Sequence, residues 1–226
     1  MSARIRDYRP ADKAGAYHVC LKTGNHGEDG TSLFPDDPDA LGRIFVGPYL
    51  DFEPDLALVL EDEIGICGYA MAAFDSRAFY DRYEREWRPE LCARFPEPSG
   101  DSATWTPTQS IHYLYHHPEY FCPEPYDVYP AHLHIDLIAR NHRQGFGRQM
   151  MEELMNRLRS KGSPGVHLGM HADNDRAYRF YSKLGFAELS REREGNDFII
   201  YMGKRLNDET TELFPRGGEG PGPERG

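Results

Sequence analysis

The sequence predicts one α/β domain in which a sheet is flanked by helices. Three observations support this fold class. The last third of the chain alternates strand, glycine turn, helix, strand, helix and strand; two apolar runs upstream form a hairpin; and the chain opens with a strand followed by a helix. The alternation implies a βαβ crossover, and 226 residues fit one such domain with long loops.

The first half of the chain contains a strand, a helix, a loop and a hairpin. Residues 4–8 alternate as a short strand, and apolar side chains at helical spacing predict a helix over 10–21. Residues 22–39 are rich in Gly, Asp and Pro, which predicts a long loop. The apolar runs 56–60 and 64–73 predict two buried strands joined by a turn.

The middle and the end of the chain are less regular. Residues 76–94 predict a charged helix rich in aromatic side chains, and residues 95–130, with many Pro, Tyr and His, predict irregular structure. The Gly, Pro and Glu content of 207–226 predicts a flexible acidic tail, so the domain is expected to span 1–206.

The last third predicts five elements in close succession. Strands are expected at 132–139, 166–170 and 198–202, where apolar residues alternate or run together. Helices are expected at 147–161, which Gly162 closes, and at 174–184.

Composition excludes several classes of function. A formal net charge of −11 argues against non-specific nucleic-acid binding, and no apolar run is long enough to span a membrane. The N-terminal residues resemble no export or targeting signal, so we expect a cytoplasmic protein. Four widely spaced cysteines predict neither a disulfide framework nor a metal site.

A glycine loop between the fourth predicted strand and its helix carries the strongest signal, at residues 141–148. Gly145 and Gly147 allow successive backbone N–H groups to point at one position at a helix N-terminus, which suits a pyrophosphate. Arg143 and Arg148 would add positive charge. The alternative is a tight glycine turn that binds no ligand.

Two motifs in this order resemble the GNAT N-acetyltransferase superfamily. Residues 142–147 resemble its coenzyme A loop, Arg/Gln-x-x-Gly-x-Gly/Ala, except that His142 occupies the first position. Residues 174–186 match Asn-x-x-Ala-x-x-x-Tyr-x-x-x-Gly-Phe. The resemblance implies a GNAT-like fold, with a central mixed sheet of about seven strands flanked by helices, and acetyl-CoA as cosubstrate.

A narrower resemblance covers about residues 3–205. The chain looks like the acetyltransferase-like C-terminal domain of animal O-GlcNAcase and its stand-alone bacterial relatives. The animal domain is usually considered a pseudo-acetyltransferase because its cofactor loop is altered. This chain keeps both loop glycines, Arg143 and Asn174, so we expect it to bind acetyl-CoA. The segments that carry the resemblance are 20–30, 47–50, 130–137 and 163–167.

The resemblance also implies a set of cofactor-binding residues. A backbone N–H near Leu137 or Ile138 would polarise the thioester carbonyl, and Tyr181 would donate a proton to the departing thiolate. For Ala177 and Tyr181 the alternative is plain core packing. The full set is Leu137, Ile138, Arg143, Gln144, Gly145, Phe146, Gly147, Arg148, Asn174, Ala177 and Tyr181.

Transfer of acetyl to an amine, which the resemblance implies, requires a group that takes the amine proton. His132, His134 and Asp136 share one face of the predicted strand, because side chains two apart point the same way. Each can act directly or through water, and Asp136 can also orient the His134 imidazole. The alternative is that both histidines are structural hydrogen-bonding residues.

The acceptor cannot be identified from the sequence. Glu28 and Asp29 are candidate anchors for a substrate amine or simply solvated turn residues, and His132 is a further candidate substrate contact. The aromatic stretch 113–126, which includes Tyr126, predicts a wall of the acceptor pocket or a loop covering the sheet. Small amines, amino sugars, antibiotics and protein lysines all remain open.

The expected function is therefore an acetyl-CoA-dependent N-acetyltransferase, an acyltransferase with no metal. The alternative is a non-catalytic pseudo-acetyltransferase module that binds CoA or a protein or peptide partner. Recognition of histone-like tails by the aromatic residues is a weaker possibility, and the resemblance makes a homodimer a possible assembly.

Overall fold

A seven-stranded mixed sheet forms the centre of the protein. The computed structural model describes residues 3–118, 120, 127–194 and 197–207. The strands lie in the order β1-β2-β3-β4-β5-β7-β6. This arrangement confirms the predicted α/β class. The strands are β1 (Arg4–Asp7), β2 (Ala57–Glu61), β3 (Ile66–Ala73), β4 (Ala131–Leu137), β5 (Gly165–His171), β6 (Ala187–Glu194) and β7 (Asp197–Arg205).

Helices lie on this sheet and at its ends. They are α1 (Lys13–Thr23), α2 (Ala40–Phe45), α3 (Gly47–Phe52), α4 (Ser76–Arg82), α5 (Arg88–Arg94), α6 (Pro107–His116), α7 (Phe146–Ser160) and α8 (Asp175–Lys183). A π-helical turn, Tyr83–Trp87, joins α4 to α5. The predicted 76–94 helix is therefore present but interrupted.

The strands β4 and β5 are parallel, as the predicted βαβ crossover requires, and they share a short stretch of pairing. These strands pair only at Ala131–Val166 and His132–His167, whereas every other neighbouring pair in the sheet is antiparallel. Both strands continue for several residues beyond this junction, each paired only with its outer neighbour. Beyond the junction the two strands are not paired with each other, which defines a cleft between them, and the side of β4 that faces β5 has no strand partner there.

The amphipathic pattern of α7 explains how the cleft is supported. Its apolar residues recur at helical spacing, and the face they form is buried against β2, β3 and β4. Each such side chain contributes about 1.5–3 kcal/mol when fully buried. The helix α1 also contacts β3 and β4. The buried residues of α7 are Met150, Met151, Leu154, Met155 and Leu158.

The prediction of irregular structure over 95–130 was wrong for α6. Thr106 and Gln109 form a capping box, and Pro107 occupies the first helical turn, where its missing N–H costs nothing. Tyr115 is completely buried and its hydroxyl donates to the carbonyl of Ala40 at 2.7 Å. The ring of Tyr115 packs against Phe95 at the end of α5, whereas Tyr113 on another side of the helix packs against Trp105.

Two further differences concern the ends of the chain. The strand β6 was not predicted, because it is an edge strand of alternating charged residues with little apolar content. The predicted tail lies outside the described residues except for Asn207, and so does Tyr126. Within the part of the chain that the structure describes, no helix is long and apolar enough to cross a membrane.

Candidate active site

A hydrogen-bonded carboxyl lies beside the cleft on β4. Asp136 is the register partner of Tyr69 on β3, and the Tyr69 hydroxyl donates to Asp136 Oδ2 at 2.6 Å. Burial raises the pKa of Asp136 to about 6, although the hydrogen bond from Tyr69 lowers it. This carboxyl therefore gains and loses its proton close to neutral pH.

Two other ionisable groups lie within electrostatic range of that carboxyl. Burial, and then the negative charge of Asp136, raise the pKa of the Tyr181 phenol on α8. The same two causes raise the pKa of the Cys20 thiol. Tyr181 is consequently a protonated donor at neutral pH, and Cys20 is an unreactive thiol.

His132 belongs to a buried network that joins three elements. The Ser76 hydroxyl donates to the carbonyl of Pro130 at 2.7 Å and lies 2.7 Å from His132 Nδ1, so Nδ1 carries the ring proton. His132 Nε2 then accepts from the Tyr49 hydroxyl at 2.6 Å. Burial holds the pKa of this histidine well below its usual value. His132 is therefore a neutral histidine whose two hydrogen bonds connect β4 with α3 and α4.

His134 lies between these two groups on the same strand face. Its ring packs edge-on against Tyr49, with centroids 5.1 Å apart. Burial, then the charge of His167, lower the pKa of His134 to about 4. The expectation that Asp136 orients this imidazole was wrong: no hydrogen bond joins the two among the described residues, and Asp136 is bonded to Tyr69 instead.

The end of β4 settles which backbone N–H points into the cleft. Ile138 N donates to the carbonyl of Cys67 on β3 at 3.0 Å, so this N–H is engaged inside the sheet. Because hydrogen-bonded and non-hydrogen-bonded pairs alternate along an antiparallel ladder, Leu137 directs its N–H away from β3. Of the two expected donors, only Leu137 therefore faces the cleft.

The glycine loop ends at the N-terminus of α7, as predicted. Gly145 is the N-cap residue with φ +86°, a left-handed conformation that a side chain would strain. A Cβ on Gly147 would lie 3.5 Å from the Phe180 ring, so the loop is also close to α8. The unpaired N–H groups of the first helical turn give this end of the 15-residue helix a partial positive charge.

The side chains around the loop are held by specific partners. His142 Nε2 lies 2.7 Å from the carbonyl oxygen of Leu137, and Gln144 donates to the carbonyl of Arg140 at 3.0 Å. Arg148 is exposed and pairs with Glu152 at 2.7 Å. Phe146 packs against the core, and Arg143 is exposed with φ +61°.

The second predicted motif begins α8. Asn174 is the N-cap residue, and its Oδ1 accepts from the backbone N–H of Ala177 at 3.0 Å. Ala177 and Tyr181, one turn apart, are half-buried against the core. The same motif therefore both packs the helix and brings Tyr181 towards Asp136.

The two acidic candidates of the α1–α2 loop have different surroundings. Asp29 pairs with Lys22 at 2.7 Å and accepts from Thr31, and these bonds hold its pKa well below the usual range. The bonds of Asp29 therefore connect the loop to the end of α1 and stabilise the turn that follows. Glu28 lines an open groove together with Asn174, on the side of the predicted cofactor motifs.

Sequence reasoning missed Tyr69. Tyr69 is 1% exposed within an otherwise apolar strand, so its hydroxyl requires a buried partner. The phenol of Tyr69 within an apolar run indicated that this residue has a buried hydrogen-bond partner. The sequence does not identify which residue of another strand accepts that hydrogen bond.

Comparison with known proteins agrees with this geometry. The model of the acetyltransferase (GNAT) family matches residues 30–186. Protein O-GlcNAcase from Rattus norvegicus is 30% identical over 204 residues, and that from Mus musculus is 29% identical. The match covers 89% of this chain, but the chain spans only 22% of the length of either relative.

Solved structures place the fold in the same family. The crystal structure of SsHAT is similar with a TM-score of 0.81 and 34% identity, covering 92% of this chain and all of that one. Naa20 from Chaetomium thermophilum, with a TM-score of 0.54 and 19% identity over 89% of this chain and 86% of that one, is similar in fold alone. With the family model matching more than half of its length, the chain belongs to the acetyltransferase (GNAT) family.

Proposed function

We propose that this protein is an acetyl-CoA-dependent N-acetyltransferase that transfers acetyl to an amine. The observation that carries the proposal is Asp136: a carboxyl beside the β4–β5 cleft, bonded to Tyr69, whose pKa of about 6 suits proton transfer near neutral pH. Family membership supports the reaction class. The identity of the amine stays open.

The residues of the loop and the cleft fit this cosubstrate. Positive φ at Gly145 and the unpaired N–H groups at the start of α7 suit a pyrophosphate, and Leu137 offers an N–H inside the cleft. Arg143, Arg148 and Asn174 would complete the binding site. When bound, acetyl-CoA supplies the acetyl group as an activated thioester.

Asp136 is the proposed base because of its pKa. An amine with a pKa of about 10.4 must lose a proton at a cost of about 4.6 kcal/mol at pH 7 before it can attack. A base is most effective when its pKa lies near the working pH. Asp136, at about 6, meets this condition better than His134, at about 4.

Tyr181 is the proposed proton donor for the leaving thiolate. Its raised pKa keeps the phenol protonated, and Asp136 lies within electrostatic range. A thiol has a pKa of about 8.5, below that of this phenol, so Tyr181 acts by donating a hydrogen bond as charge develops on sulfur. Removal of this hydroxyl leaves the aromatic ring to pack as before.

The test combines binding with turnover. Calorimetry with acetyl-CoA, followed by thiol release with a panel of small amines and lysine peptides, should show micromolar binding and transfer to at least one amine. Asp136→Asn and Tyr181→Phe should each bind acetyl-CoA like the parent and lose about 10² or more in turnover. Absence of acetyl-CoA binding would refute the proposal. Binding without transfer to any amine would support the non-catalytic alternative.

A further inference from the structure

Arg176 contacts the glycine loop from a different element of the fold. It lies in the first turn of α8, and its Nη1 is 3.2 Å from Nδ1 of His142. Its Nη2 is 3.3 Å from the position that a Cβ on Gly27 would take. The guanidinium therefore lies where the glycine loop, α8 and the α1–α2 loop meet.

The orientation of His142 fixes the direction of this contact. His142 Nε2 lies 2.7 Å from the carbonyl of Leu137, which can only accept, so Nε2 carries the proton. A guanidinium can only donate, so Nδ1 accepts a hydrogen bond from Arg176. One chain of hydrogen bonds thus connects the end of β4 to the first turn of α8.

The charge of Arg176 is not balanced within the described part of the protein. Neighbouring arginines have carboxylate partners: Arg140 pairs with Asp62 at 2.8 Å, and Arg179 pairs with Asp175 at 3.6 Å. No carboxylate of the described residues lies within 4.0 Å of the guanidinium of Arg176 or of Arg143. In a chain with a net charge of −11, two such cations beside a helix N-terminus indicate a site for an anion.

We propose that Arg176 is a phosphate-binding residue of the coenzyme site and that His142 positions its guanidinium. The inference rests on the proposed function and extends its binding site to the first turn of α8. One Nη1 hydrogen is directed to the His142 ring, and the other guanidinium donors remain for phosphate oxygens. The loop backbone and Arg176 would then bind the phosphates from two directions.

The experiment measures dissociation constants by calorimetry for three ligands: acetyl-CoA, its 3′-dephospho form and S-acetylpantetheine, which has no pyrophosphate. Arg176→Gln should weaken acetyl-CoA binding about tenfold or more, as expected for a hydrogen bond to a charged group, and leave S-acetylpantetheine binding unchanged. An equal loss with the 3′-dephospho form assigns Arg176 to the pyrophosphate. A smaller loss with it assigns Arg176 to the 3′-phosphate.

Arg179→Gln is the matched control, because it removes a neighbouring arginine of the same helix that already has a carboxylate partner. Arg179 lines the same groove as Arg176, but Asp175 already balances its charge, so its loss should weaken acetyl-CoA binding less than Arg176→Gln does. His142→Ala should weaken acetyl-CoA binding in the parent but have little further effect in Arg176→Gln, since it acts through that side chain. Thermal unfolding of each variant confirms that it folds.

The outcomes separate the two proposals. If the parent binds acetyl-CoA and Arg176→Gln binds it equally well, the inference is refuted and the proposed function stands. Equal losses for acetyl-CoA and S-acetylpantetheine would also refute it, because the effect would then not depend on phosphate. If the parent does not bind acetyl-CoA at all, both are refuted.

Discussion

Tyr69 and Asp136 lie directly opposite each other on antiparallel strands, and the phenol donates a hydrogen bond of 2.6 Å to the carboxylate. This bond stabilises the charged form of a group that burial would otherwise keep protonated. Tyr69 therefore lowers the pH at which Asp136 gains and loses its proton.

Tyr69→Phe should move the acidic limb of the pH–rate profile to higher pH. Loss of the donor raises the pKa of Asp136 above its value of about 6, so a higher pH is needed to form the carboxylate. The measurement is kcat/KM from pH 5 to 9. Tyr49→Phe is the control, because it also removes a buried hydroxyl but one bonded to His132. Identical limbs in the parent and Tyr69→Phe would show that Asp136 is not the titrating group.

Asp136→Asn should stabilise the fold at neutral pH while it lowers turnover about 10²-fold or more. The raised pKa means that the parent loses stability as pH rises from about 4 through about 6, because the buried group must ionise. The amide does not ionise, so the variant should gain up to about 3 kcal/mol over the parent at pH 7.5. Urea unfolding at pH 4 and 7.5 measures this difference. A gain of equal size at both pH values would contradict ionisation as the cause.

His134→Gln should show the opposite dependence of stability on pH. The lowered pKa of His134 means that its stabilising effect is present above pH 6.5 and is lost as pH falls towards about 4. The parent should therefore lose more stability than the variant between pH 7 and 4.5, by urea unfolding. If Asp136 is the base, His134→Gln should also keep the acidic limb of kcat/KM near pH 6. Disappearance of that limb would instead assign the base to His134.

Gly145→Ala should weaken acetyl-CoA binding, whereas Gly162→Ala should not. Both glycines flank α7 with φ near +90°, and neither Cβ would clash with a neighbour, so each substitution costs about 1 kcal/mol of backbone strain. Only Gly145 lies at the N-terminus that the phosphates are proposed to contact. Thermal unfolding and calorimetry measure the two effects. Equal binding by both variants would contradict the placement of the cofactor at this loop.

Local signals predicted the elements around the glycine loop. Glycines at fixed spacing and the apolar period of α7 depend on neighbouring residues, so they can be recognised along the chain. By contrast, α6 was missed because the burial of Tyr115 depends on its contact with Ala40 of α2, although Thr106 and Gln109 provided a capping signal. The strand β6 is polar on an edge and shows no apolar period.

The candidate site itself depends on contacts that sequence spacing does not encode. The face shared by His132, His134 and Asp136 followed from strand parity. The partner of each residue did not, because Tyr69 comes from another strand and Tyr49 from a helix 83 positions away from His132. Strand register and helix packing therefore decide which of three similar candidates is buried and neutral and which one titrates.

The strands β4 and β5 share only two residue pairs. Beyond these pairs, each strand has an unpaired edge in the middle of the sheet. Exposed edges of sheets recruit other strands and promote aggregation, which is why natural proteins shield them. Here α1 and α7 both contact β4, so its unpaired peptide groups lie inside the protein. A ligand that binds along β4 as proposed would therefore have to be narrow and extended to reach these groups between the two helices. Under the proposed function, the same short junction that leaves a strand edge unpaired would select a ligand by its extended shape.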